Sequence, residues 1–171
     1  MAEEQTTEKA FGHGVNQRDQ IKMTPEEIDD FLHGVHTMNC ATHGADGNIH
    51  LVAMWYGFLE GAPALETKAK SQKVANLRRN PRITCLIEEG SSYDQLVGVE
   101  MVGTAEIIDD PERMFELGIS VFERYQGPYS EEMKPFVEIM LNKRVVVKIK
   151  VDRVVSWDHR KLGLPPTNPV G

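Results

Sequence analysis

The chain has 171 residues, the size of one compact domain, and carries 19 Lys and Arg against 26 Asp and Glu, a formal net charge of −7. An acidic whole argues against a nucleic-acid module, whose affinity comes from neutralising phosphates, and 40% hydrophobic with 26% charged residues describes a globular chain, not a disordered one. No apolar run reaches the roughly 18 residues of a membrane span, and no signal-peptide core is visible, so a cytoplasmic protein that acts on small molecules is expected.

In chain order, residues 1–22 show no apolar period and read as an arm, followed by one domain over 23–162 and a tail over 163–171. Thr24, Pro25 and Glu27 form the capping signature of a helix to about Leu32, which Gly34 stops. His36 to Thr42 reads as a strand, Ala45-Asp46-Gly47-Asn48 as a hairpin turn, and Ile49 to Leu59 as a second, single strand. After a break at Glu60–Pro63, Ala64 to Thr67 is a short strand. Ser71 is the expected N-cap of a helix to Arg79. Strands are predicted over Arg82–Ile87 and Leu96–Ile108, the latter with Gly98 and Gly103 as points of bulge or bend.

Asp110-Pro111 opens a helix to Tyr125. Ser130 is read as the cap of another, whose Met133, Phe136, Val137, Met140 and Leu141 share one face. Two final strands, Val145–Lys150 and Arg153–Trp157, complete an α+β domain built on a barrel or sandwich.

Between Glu66 and Glu88 the chain gathers six basic residues, Lys68, Lys70, Lys73, Arg78, Arg79 and Arg82, with no acid among them. Ser71 at a helix start with Lys73 in the first turn brings backbone N–H groups, a hydroxyl and an ammonium together, a pattern suited to phosphate. The strand before it is apolar on both faces, Val52, Met54, Tyr56 and Phe58 alternating with Leu51, Ala53, Trp55 and Gly57. It either packs on both sides or lies against a flat ligand, with Trp55 and Tyr56 as a wall for a ring system.

Other motifs are weaker. His33 and His36 form an HxxH interrupted by Gly34, and no metal site is expected. His43 and His50 are read as solvent-facing, and Gly12-His13-Gly14 lacks the rest of a dinucleotide fingerprint. Cys40 and Cys85 have no metal spacing and read as buried structural thiols. With no dedicated nucleophile, cofactor chemistry is favoured.

The run Leu65-Glu66-Thr67-Lys68-Ala69-Lys70-Ser71-Gln72-Lys73-Val74-Ala75-Asn76-Leu77-Arg78-Arg79-Asn80-Pro81-Arg82 resembles the pyridoxamine 5′-phosphate oxidase-like split-barrel superfamily. With Val102–Glu106, Lys143–Val146 and Ser156–Leu162 it looks most like the actinobacterial flavin/deazaflavin-dependent oxidoreductases of the B type, which use coenzyme F420. The resemblance implies a split β-barrel with peripheral helices, forming a homodimer with the cofactor at the interface. It implies a reductase that passes hydride from reduced F420 to a conjugated small-molecule acceptor. The alternatives are an FMN-binding oxidoreductase or a non-catalytic F420, flavin or haem carrier.

By the same resemblance Thr67, Ser71, Gln72 and Lys73 hold the cofactor phosphate, with Asn76 supporting the loop. Val52, Ala53, Met54 and Trp55 line the ring, and Trp157 and Arg160 close the site from the partner subunit. Lys68 and Lys70 suit the anionic tail of F420. Tyr56 is the nearest candidate for a proton donor. In one departure, Leu51 and Tyr56 stand where the oxidases carry an Arg and a Lys that clamp the FMN phosphate, which favours F420 over FMN.

Overall fold

Residues 16–167 are described by the computed structural model. The predicted arm ends in a short helix, α1 (Gln17–Ile21), capped by the Asn16 side chain accepting from Arg18 N–H, while residues 1–15 and the Gly12-His13-Gly14 motif lie outside the described residues. Helix α2 (Pro25–His33) has the full capping box: Glu27 N–H donates to Thr24 Oγ1 and Thr24 N–H to Glu27 Oε2.

Seven antiparallel strands follow. Strands β1 (Met38–His43) and β2 (Ile49–Met54) form a hairpin whose turn has Gly47 at φ 84°. Then come β3 (Gly57–Leu59), β4 (Ala62–Lys68), α3 (Gln72–Arg79), β5 (Arg82–Glu89), β6 (Val97–Ile108), α4 (Pro111–Tyr125), α5 (Lys134–Leu141) and β7 (Arg144–Asp158). The sheet order is β2-β1-β5-β6-β7-β4-β3. Strands β2 and β3 therefore sit at opposite edges of the sheet although only Trp55 and Tyr56 separate them in the chain. Two residues span that gap only if the sheet rolls up, so the α+β domain is a split barrel with its seam at Trp55–Tyr56.

That seam corrects the single strand expected over Ile49–Leu59. At the crossing, Tyr56 N–H leaves the ladder and donates to the Tyr125 hydroxyl of α4 (3.2 Å). The two strands expected at the end are one, β7. Val102 pairs with Arg153 and Gly103 with Val151, so Asp152 is an extra residue, a bulge that the sequence mimics as a turn. A Cβ on Gly103 would stand 2.1 Å from the Lys150 carbonyl oxygen, so the close approach requires glycine. Pro63, read as part of a break, lies within β4 opposite Phe58, before the β7 ladder begins at Ala64, where its missing N–H costs no bond to β7.

Ser130 does not cap α5: it precedes a 3-10 turn over Glu131–Met133, to which its side chain gives no cap bond, and α5 starts at Lys134. Of the apolar stripe there, Val137 and Leu141 are buried while Phe136 stays half exposed. Asp110 caps α4 as expected, its side chain accepting from Arg113 N–H.

Inside the barrel Met38, Cys40, Tyr56, Leu65, Cys85 and Met101 form one core. Cys40 and Cys85 are register partners across β1 and β5, both buried free thiols 3.7 Å apart at sulfur. Helix α4 packs through Leu117 and Val121 against Leu59, Ala64 and Val146. No helix among the described residues is long and apolar enough to cross a membrane.

Candidate functional site

The basic segment folds into the β4–α3 junction. Thr67, next to the last residue of β4, faces inward, the chain turns with Ser71 N–H donating to the Lys68 carbonyl (2.9 Å), and α3 begins at Gln72. The period of α3 carries Lys73 and Asn76 into the protein together. Lys73 is only 8% exposed, and its ammonium donates to a single partner among the described residues, Thr67 Oγ1 at 2.9 Å. No carboxylate pairs with it among the described residues. Burial holds the ammonium below the ordinary lysine range, with Cys40 and Arg144 as lesser influences. A buried cation served by one hydroxyl retains unused donors, and the unpaired first-turn N–H groups of α3 begin at the same place.

The other members of the motif act differently from one another. Ser71 was expected to cap α3, yet its side chain makes no cap bond; its hydroxyl instead receives a long contact from Thr67 Oγ1 (3.4 Å). Asn76 is fully buried and bonded through both ends of its amide: Nδ2 donates to Thr42 Oγ1 (3.0 Å), and Oδ1 accepts from Gln72 Nε2 (2.8 Å) and Arg79 (3.2 Å). Arg79 also donates to the His43 carbonyl (2.7 Å). Asn76, Gln72 and Arg79 thus brace α3 against β1, which leaves Lys73 as the unspent group. Lys68 is exposed and donates to the Asn142 carbonyl (3.1 Å), and Lys70 is exposed.

Strand β2 separates its two faces. Val52 and Met54 turn toward the barrel, while Ile49, Leu51, Ala53 and Trp55 face out, Leu51 at 66% and Trp55 at 47% exposure. The Trp55 ring stacks on Tyr125 at 4.5 Å between centroids and 6° between planes, so its orientation is fixed from α4.

Tyr56 lies elsewhere. It is fully buried; its hydroxyl donates to the Leu32 carbonyl (2.6 Å) and accepts from Arg124 (2.7 Å), whose guanidinium stands 4.2 Å above the ring. Burial pushes its pKa up to about 12. A hydroxyl sealed in the core between α2 and α4 is not placed to hand a proton to a bound substrate, which corrects the expectation for Tyr56. Leu51 and Tyr56 point to opposite sides, one out and one in.

Trp157 and Arg160 are at the other end of the sheet. Trp157 pairs with Gly98 and Glu88 pairs with Gly98, whereas α3 leads into Arg82, six residues along β5 and so about 20 Å away. The Trp157 ring covers Gly98, where a Cβ would come within 2.3 Å of it. Arg160 is bound bidentately to Asp158 (2.8 and 2.9 Å), which holds that carboxyl below its usual range. Within one chain these two residues do not meet Lys73.

His50 is not solvent-facing. It pairs with Thr42, is half-buried, and its Nδ1 is buried without a partner. His33 stacks on Phe58 while His36 approaches Glu89 (3.6 Å); the two do not converge, and among the described residues no three His, Cys, Asp or Glu side chains are grouped as metal ligands. Sequence reasoning passed over Thr42, Tyr125 and Arg124. Thr42 alone carried a signal, falling on the inward face of its strand.

A family model described as pyridoxamine 5′-phosphate oxidase matches residues 24–158. The chain belongs to that family. Like other members of the pyridoxamine 5′-phosphate oxidase family it can be set beside solved structures. Conserved hypothetical protein Rv2991 from Mycobacterium tuberculosis is 52% identical, with 92% of this chain and 98% of that one covered and a TM-score of 0.87. An F420 reductase is 23% identical (77% and 98% covered, TM-score 0.59). HutZ, the haem storage protein from Vibrio cholerae, is 15% identical (77% and 94% covered, TM-score 0.60). The last two share the fold. Comparison with curated proteins finds no match.

Proposed function

We propose that this member of the pyridoxamine 5′-phosphate oxidase family is an F420-dependent reductase that transfers hydride to a conjugated small-molecule acceptor, and that it works as a homodimer. The observation that carries the reading is Lys73: a buried ammonium with one hydroxyl partner, at the first turn of α3, in a protein that elsewhere is strongly acidic. Such a group fits a phosphate, which would accept its free N–H bonds and offset the cost of burying its charge. The flat apolar face of β2 fits a ring system, with Trp55 held rigid by Tyr125.

In this reading Lys73, Thr67, Ser71 and the α3 N–H groups hold the phosphate. Ala53 and Trp55 meet the ring on the outward face of β2, with the backbone of Val52 and Met54 running along it, and Lys68 and Lys70 face the anionic tail through solvent. When bound, reduced F420 supplies the hydride. The protein holds donor and acceptor in near-attack geometry and keeps water out, a task for which Ile49, Leu51 and Trp55 are suited when a second copy covers them. Trp157 and Arg160 reach the site only from that copy. With Tyr56 sealed in the core, the proton that completes reduction comes from solvent.

The test is a fluorescence titration with F420 and FMN together with turnover of reduced F420 against quinones, enones and tetrapyrroles. F420 binding more tightly than FMN, with oxidation by at least one acceptor, is expected. Tighter FMN binding returns the protein to the flavin branch, and tight F420 binding without turnover makes it a carrier.

A further inference from the structure

A cleft of about 790 Å3 opens between α4, α5 and the start of β7. It adjoins the turn before α3: Lys68 pairs with Arg144 across β4 and β7 and donates to the Asn142 carbonyl (3.1 Å), and Ala69 N–H donates to the Lys143 carbonyl (3.0 Å). Its volume suits a small organic ligand, and Met114, Phe115 and Leu141 give it an apolar wall.

One polar group on its wall lacks a hydrogen-bond partner. Five buried side-chain atoms among the described residues have no hydrogen bond; one of them, Arg144 Nε, belongs to a residue of the cleft wall, and two more, Glu66 Oε2 and the Tyr129 hydroxyl, belong to residues that contact the wall residues Arg144 and Phe115. Arg144 lines it. Glu66, 7% exposed, lies behind Arg144, and Tyr129 packs edge-on to Phe115 with ring centroids 6.2 Å apart. Buried polar atoms are nearly always satisfied in native proteins, so Arg144 Nε marks a missing acceptor.

Arg144 defines what that partner is. Among the described residues its guanidinium makes no hydrogen bond; the nearest carboxylate oxygen, Glu66 Oε1, stands at 3.7 Å. Of the six charged residues on the cleft walls, five are exposed and screened by water, and Arg144 alone is half-buried. A half-buried guanidinium with free donors beside an apolar wall selects a planar anion attached to an apolar body.

We propose that this cleft is a second ligand site, taking an amphipathic carboxylate: an aromatic or aliphatic body against Met114, Phe115 and Leu141, and a carboxylate on Arg144. The test uses calorimetric titration of the full-length protein with 1-naphthoate and its neutral isostere 1-naphthamide. Naphthoate should bind once per chain and at least about tenfold more tightly than the amide. Arg144→Met should remove that preference. Because Arg144→Met strands the buried Glu66, the double variant Arg144→Met/Glu66→Gln, which deletes both charges, should show the same loss in a folded protein. No binding of naphthoate at about 5 mM, equal affinity for acid and amide, or an unchanged preference in the folded double variant overturns the proposal.

Discussion

Lys73 is useful to a ligand for the same reason that it burdens the empty protein. Its ammonium is buried with one hydroxyl for company, so Lys73→Met should weaken F420 binding by about 1.5–3 kcal/mol, the range for charge-assisted hydrogen bonds, and raise the thermal midpoint of the ligand-free chain. The pH dependence follows from burial. Because the folded lysine titrates below its unfolded value, the unfolded chain binds more protons between those two pKa values, and stability rises with pH across that window. Affinity for the anion should fall across the same window as the ammonium is lost. Urea melts and titrations at stepped alkaline pH should show both trends in the wild type and neither in Lys73→Met.

Tyr56→Phe separates a core tyrosine from a proton donor: it should cost about 0.5–1.5 kcal/mol by deleting the hydroxyl's bonds to the Leu32 carbonyl and Arg124, which remain bonded to each other, yet leave the hydride-transfer rate unchanged in stopped flow. The Thr67–Lys73 cluster was legible because its members lie within seven residues of one another, where helix period and capping rules apply. Thr42 and Tyr125 were not, since each enters from a distant part of the chain: strand alternation marks Thr42 as inward-facing but does not say that it meets Asn76.

At the scale of elements, the sheet tolerates departures from regularity where side chains leave room. Gly98 accepts the Trp157 indole across β6 and β7, and Gly118 lets α5 approach α4, since a Cβ there would meet Val137 at 2.8 Å. Gly98→Ala should displace the indole, cost about 1–3 kcal/mol in denaturant melts, and shift the near-ultraviolet circular dichroism of Trp157. Capping residues made the starts of α2 and α4 readable, because Thr24, Glu27 and Asp110 act on their own helices. The Asp152 bulge and the crossing at Trp55–Tyr56 were not, because strand-forming residues give no local sign of which partner they will take.

For the whole molecule, the outward face of β2 and the segregation of charge make separate predictions. Ile49, Leu51 and Trp55 present an exposed apolar surface, and in the proposed dimer a second copy covers it, so Leu51→Lys should leave a monomer by light scattering and remove cofactor binding with it. If Lys68 and Lys70 meet the tail of F420 through solvent, affinity should fall between about 20 and 500 mM salt, as the Debye length shrinks from roughly 20 to 4 Å. A deazaflavin lacking the glutamates should respond much less.

The seam at Trp55–Tyr56 also governs how the sheet can come apart. In an open sheet each outer strand frays by itself. Here both outer strands, β2 and β3, are one unbroken stretch of backbone tied to α4 through Tyr125, so releasing one pulls on the other. Amide protons of Ile49–Met54 and Gly57–Leu59 should therefore exchange with deuterium as a single cooperative unit, and Tyr125→Phe, which removes the hydroxyl latch, should accelerate both by the same factor while leaving β5 and β6 unaffected.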